Sequence, residues 1–171
     1  MKKLSIIFAA LAVAFAVQAN PQGYVCLALH TPGQLPSAEA NIDGLRFSLL
    51  YGECQNLNGL DLGFAGRIRE RFNGAQFNLG FSIDDSDVNG FALGCVNYAN
   101  TEFNGLQIGL WNNAFLCHGM QLGVVNTADR CAGFQLGLLN FAGDLDGVQI
   151  GLSNYVGDQK CAWLPIINVG W

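Results

Sequence analysis

Charge is scarce in this chain. Only 12% of its 171 residues are charged, about half the share usual for a globular domain. With 51% hydrophobic residues, such a chain is too apolar to be disordered. Glutamate and lysine are too few, and glycine at 22 residues too frequent, for a helical bundle. The motifs that carry chemistry are missing as well. His30 and His118 share no metal-like spacing with cysteine or carboxylate. No serine sits in a G-x-S-x-G elbow, and there is no phosphate-binding loop. Asp85-Ser86-Asp87-Val88-Asn89-Gly90 matches the first half of a calcium loop, but the closing acid would fall at Val96, so the segment reads as an acidic turn. Arg67, Arg69 and Arg71 alternate along one strand face around Glu70 and read as a solvated face. The chain is therefore read as a non-enzyme with no cofactor and no metal.

The first 19 residues read as a signal peptide. Lys2 and Lys3 supply the positive start, Leu4 to Phe15 an uncharged and mostly apolar run, and Val17-Gln18-Ala19 small residues at a cleavage site. The run is shorter than the ~18–20 residues of a stable membrane anchor. Export to the periplasm, the cell surface or the medium is expected. Taking Lys2 and Lys3 from the 8 basic residues leaves six against 13 acidic ones, a net charge of −7. That balance speaks against a nucleic-acid partner and against docking on an anionic membrane by charge alone. In an oxidising compartment the even count of six cysteines permits disulfides.

What is abundant is repetition. Four strings, Gly105-Leu-Gln-Ile-Gly-Leu-Trp-Asn112, Gly119 to Asn126, Gly133 to Asn140 and Gly147 to Asn154, follow one pattern with leading glycines 14 residues apart. Gly44, Gly59, Gly74 and Gly90 open looser copies at spacings of 15, 15 and 16. The Gly90 copy keeps its asparagine, Asn97, whereas the three before it have Tyr51, Gly66 and Phe81 there. Within a copy, Leu106, Ile108 and Leu110 alternate with Gln107 and Gly109, the period of a strand. Continued through Asn112 and Ala114, that parity puts the large apolar residues, the Asn and the Ala on one buried face, with Cys95 among them. Leu57, Phe72, Val88, Phe103, Leu116 and Leu145 form a second apolar position near the end of the copies. Asn58-Gly59, Asn73-Gly74, Asn89-Gly90 and Asn104-Gly105 are turn dipeptides.

Two all-β architectures use such repeats. In a β-solenoid of about eight coils of 14–16 residues, like positions stack on like. In a small up-and-down outer-membrane β-barrel, each copy is one strand and neighbours run antiparallel. The solenoid is preferred. Equal residues stack only if all copies point the same way, and an Asn on a lipid-facing strand would be costly. Inside a solenoid the amides of Asn97, Asn112, Asn126, Asn140 and Asn154 can bond along a ladder. The expected organisation is a signal peptide at 1–19, an N-terminal strand and cap at 20–43, tandem β-repeats at 44–162 and a C-terminal cap at 163–171.

The string G-φ-Q-φ-G-φ-x-N, Leu35-Pro36 before the first copy and the end Leu164-Pro165-Ile166-Ile167-Asn168 resemble a family of secreted bacterial surface-repeat proteins of uncharacterised function. The similarity covers roughly residues 24–171. It implies a surface location and carries no activity with it.

Two further groups are singled out. Cys117 and Cys131 are each thirteenth in their copies, which in a parallel stack puts them ~4.8 Å apart at Cα, within the span of a disulfide. The alternative is a pair of reduced, buried thiols, because Leu145 holds the same position one coil later. Tyr98, Phe141 and Tyr155 share one repeat position, with Trp111 beside it. They form an exposed aromatic surface suited to a protein or glycan partner, unless they pack against a neighbouring coil, loop or subunit. The outer membrane is a partner only under the barrel alternative.

Overall fold

The computed structural model describes residues 22–171; the expected signal peptide lies outside the described residues. The chain is all-β and winds into a β-solenoid of about nine turns. Its strands are β1 (Gln22–His30), β2 (Gly33–Leu35), β3 (Asn41–Ser48), β4 (Gly52–Asp84), β5 (Asp87–Leu136), β6 (Leu139–Val156) and β7 (Trp163–Gly170). β4, β5 and β6 run through several corners without a break, so one strand covers more than one coil. From β1 through β3, β4, β5 and β6 the pairing is parallel, with Gly44 on Gly59, Gly74 on Gly90 and Gly133 on Gly147, and the register shifts only between Gly23 and Val25 and between Asn78 and Phe81. An antiparallel barrel of one-repeat strands is thereby excluded. Eight leading glycines open eight coils and β1 adds one more turn.

Those glycines are required. Gly44, Gly59, Gly74, Gly90, Gly105, Gly119, Gly133 and Gly147 all have φ between 138° and 156°, a region open essentially to glycine alone. A Cβ at any of them would run into the backbone of the preceding turn: the carbonyl of Tyr24 at Gly44, and of the stacked glycine at the others.

The interior is narrow and its contents differ from the alternation in the sequence. With the leading glycine as position 1, the side chains at positions 3, 8 and 10 point inward, as Gln107, Asn112 and Ala114 do. The apolar residues at positions 2, 4 and 6 point outward: Leu106 and Ile108 are half-buried and Leu110 is exposed. The single buried face expected to hold the apolar triplet with the Asn and Ala is therefore corrected. Leu110 and Trp111, two consecutive outward residues, make a corner, and the corner inverts the parity before Asn112. Cys95, at position 6, is exposed for the same reason.

The apolar part of the interior is one column, two residues before each leading glycine: Ile42, Leu57, Phe72, Val88, Phe103, Cys117, Cys131 and Leu145, all buried. Leu116, expected in that column, is half-buried beside it, and Cys117 takes the place. Both ends are covered. β2 pairs antiparallel with β1, and β7 lies antiparallel on β6 with Val148 opposite Val169 and Ile150 opposite Ile167. Such end strands shield a stack whose edge carries unpaired backbone groups.

Candidate functional site: an apolar sheet face

Two buried amide ladders fix the coil. Asn97, Asn112, Asn126 and Asn140 each donate through Nδ2 to Oδ1 of the next asparagine at 2.8–2.9 Å, ending on Asn154. The same amides bond a carbonyl of the next strand, as Asn126 does to Leu136 at 3.0 Å. Gly109, Gly123, Gly137 and Gly151 make room: a Cβ on Gly137 would lie 2.6 Å from Asn126 Nδ2 and 3.0 Å from Asn140 Oδ1. The second ladder, missed in the sequence, runs Gln149 to Gln135 to Gln121 to Gln107 at 2.7–2.8 Å. Each Gln Nε2 also reaches a carbonyl across the coil, such as that of Thr127 at 3.3 Å from Gln121. The interior is one glutamine wide.

In the first coils the glutamine column holds an ion pair instead. Arg46 and Asp61, both fully buried, bond bidentately at 2.6 and 2.7 Å. Arg46 Nη1 also donates to the Arg67 carbonyl at 2.9 Å and to Cys54 Sγ at 3.1 Å, while Asn78 Nδ2 donates to Asp61 at 2.8 Å. Burial works against the Arg46 charge, but Asp61 outweighs it and the guanidinium is held more firmly protonated than usual. Burial pushes the Cys26 thiol up to about 11 and Cys54 up to about 12, so both are inert as nucleophiles at neutral pH. Burial also pushes the Asp84 carboxyl up to about 7, despite a bond from Gln76 Nε2 at 3.0 Å.

The outside of the same wall is of another kind. Positions 2, 4 and 6 of all eight coils are apolar, 24 in a row of columns, from Leu45, Phe47 and Leu49 to Val148, Ile150 and Leu152. None of them is buried, and Leu79 and Leu152 are each 72% exposed. Val25 and Leu27 of β1, opposite Leu45 and Phe47, extend the face at one end; Val169 and Ile167 of β7 extend it at the other. At ~4.8 Å per strand and ~3.3 Å per residue, the face measures about 45 by 17 Å, well beyond an incidental patch. One rim is the column before the leading glycines, where Asn58, Asn73 and Asn89 bond in a further, solvent-side ladder from Asp43. Asp43 and Asp146 stand at the ends of that column, and it contains no lysine or arginine.

The sequence-derived candidates fall into place around this face. The five asparagines form the ladder described. Cys117 and Cys131 are neighbours in the buried column; both are free thiols here, and a hydrogen bond to Cys131, with burial, raises the Cys117 pKa. Tyr98 and Trp111 are exposed, but the aromatic column is interrupted by Asn113 and Thr127. Phe141 and Tyr155 are half-buried and pack on Trp163 of β7, with ring centroids 5.8 and 4.9 Å away, so these two belong to the cap rather than to an open stripe. Arg67 pairs with Asp85 and Arg69 with Glu53, both at 2.7 Å. Asp85 also accepts from Asn100 at 2.7 Å, so the calcium-like segment has its acid engaged, and among the described residues no group of three His, Cys, Asp or Glu could hold a metal. No family model, curated protein or solved structure matches the chain.

Proposed function

We propose that the chain is an exported, non-enzymatic β-repeat protein of the cell envelope or surface that works by presenting its apolar sheet face to a partner. The observation that carries this reading is the run of 24 outward apolar positions on one flat wall. Keeping that much apolar surface in water is unfavourable by ~25 cal/mol per Å2, and a monomer rarely leaves so large a patch uncovered without use. The buried ion pair of Arg46 and Asp61 cannot reach a substrate, and the other pairs, such as Arg67 with Asp85 and His118 with Glu102, lie on the surface. Export rests on the leader at 1–19, and a surface location on the resemblance to secreted surface-repeat proteins.

Two measurements test it. Residues 1–19 fused to a reporter active only after export should give an active reporter; an inactive one removes the export half. In cell fractionation the native chain should be retained with the envelope, and a double variant Leu110→Lys and Leu136→Lys should be released. Equal retention of both would remove the face from the function.

A further inference from the structure

We infer that the partner of the apolar face is a second copy of this chain, packed sheet on sheet; this rests on the reading of that face as a docking surface. Three properties of the face carry the inference. It is self-complementary in chemistry: all 24 positions are apolar, so two copies meeting face to face bring no charge against charge and bury no unpaired polar side chain. It is flat and regular apart from one bulge at Leu79 and Gly80, because the coils otherwise place like positions in columns at one strand spacing. Two such surfaces can interdigitate at the ~10 Å distance of packed sheets. And it is of the right size. A face of about 45 by 17 Å offers close to the ~800 Å2 per partner that a stable interface buries.

A lipid surface fits the face less well. Proteins that lay an apolar face on a bilayer commonly add Lys and Arg at its edge to meet anionic headgroups. Here the asparagine rim carries Asp43 and Asp146, and the chain as a whole is acidic with a net charge of −5. Of the five arginines, Arg46 lies inside the coil, Arg67, Arg69 and Arg130 are paired with Asp85, Glu53 and Asp144, and Arg71 stands exposed two residues before Asn73 of the rim.

Cys95 provides a reporter within the face. It lies in the position-6 column between Leu79 and Leu110, and its thiol is exposed in the single chain, as is that of Cys161 beyond the last coil. In the face-to-face dimer Cys95 is covered and Cys161 is not.

The experiment uses the full mature chain in dilute buffer. Sedimentation equilibrium should give twice the chain mass, and Cys95 should be alkylated by a maleimide an order of magnitude more slowly than Cys161, with modified sites read by mass spectrometry. Leu110→Lys with Leu136→Lys should give a monomer with an unchanged far-ultraviolet spectrum and equal reactivity at the two thiols. Phe115→Lys, at an exposed apolar residue on another wall, should remain a dimer. A native monomer whose Cys95 reacts as fast as Cys161 overturns the second copy as partner. If that monomer floats with phosphatidylcholine vesicles the face is a lipid dock, and if it does not the face serves a different protein; in both cases the docking surface survives. A dimer that persists in the double lysine variant with Cys95 reactive overturns the inference and the docking surface together.

Discussion

Asn126 Nδ2 lies 2.8 Å from Asn140 Oδ1, both side chains fully buried, and Asn140 repeats the same bond to Asn154. Asn140 also donates to the Ile150 carbonyl at 2.9 Å. Asn140→Leu therefore leaves a donor of Asn126 and the acceptor of Asn154 without their partners. The expected cost is about 1–3 kcal/mol, read as a lower urea midpoint at an unchanged slope. A variant that melts with the parent would show that the ladder carries no stability.

The leading glycines are predicted to be the least replaceable positions. Gly105 has φ of 140°, and an alanine Cβ there meets the Gly90 carbonyl. Gly105→Ala should cost more than about 3 kcal/mol and yield mostly insoluble protein. Gly157→Ala is the matched control, since its nearest contact is Gly143 O at 3.1 Å and its φ lies outside the glycine region; about 1 kcal/mol is expected.

The Arg46–Asp61 pair invites a double substitution. Arg46→Gln alone strands a buried carboxylate and should cost about 3–5 kcal/mol. Arg46→Gln with Asp61→Gln converts the site into the glutamine ladder that Gln107, Gln121, Gln135 and Gln149 already form in the same column. The double variant should recover most of the loss. Thermal melts of the two single variants and the double variant give the coupling directly.

Asp84 should make the fold more stable in mild acid than its other carboxylates would. Its carboxyl titrates near 7 when folded and near 3.8 when exposed, so the folded chain holds the extra proton between those values. Stability from this group is then fully present below about pH 4 and falls as pH rises to about 7, by up to ~4 kcal/mol. Asp84→Asn keeps an acceptor for Gln76 and never ionises. It should match the parent near pH 4 and exceed it at pH 8; equal stability at both would show that Asp84 ionises freely in the fold.

Oxidation should find one pair first. Cys117 and Cys131 share a column and a hydrogen bond, whereas the remaining column members are Ile42, Leu57, Phe72, Val88, Phe103 and Leu145. Peptide mapping after mild oxidation without reductant should give Cys117 linked to Cys131 before any other intramolecular link. A link from Cys117 to Cys26 would contradict the register.

The coil count, the parallel register and the asparagine ladder were legible because they depend on translation alone: Gly, Gln, Gly and Asn recur at fixed offsets, and only a parallel stack superposes them. The sidedness was not legible from period two. Alternation says which residues share a face and leaves open which face is inside, and the corner at Leu110 and Trp111 changes the parity midway. A different signal was present. Position 3 is glutamine in four successive coils, while position 2 varies through Leu106, Met120, Phe134 and Val148. A slot one side chain wide demands constancy, and a surface tolerates that range of volumes. The ion pair of Arg46 and Asp61 was hidden because both stand at position 3, which the period-two reading had placed on the outer face. The exposure of the apolar wall ran against the expectation that large apolar residues fill the core.

The glutamine ladder has a last consequence, for length. Gln121 meets Gln107 on one side and Gln135 on the other through the same bond, at 2.8 and 2.7 Å. Excising residues 119–132 would set Gln135 on Gln107 with no new kind of contact, and inserting a copy would be equally silent inside. Each edit changes the rod by one strand spacing, ~4.8 Å, while both end strands stay as they are. The chain thus behaves as a ruler with 14-residue graduations over its last four coils, and the extent of its apolar wall can be lengthened or shortened without redesigning anything beneath it.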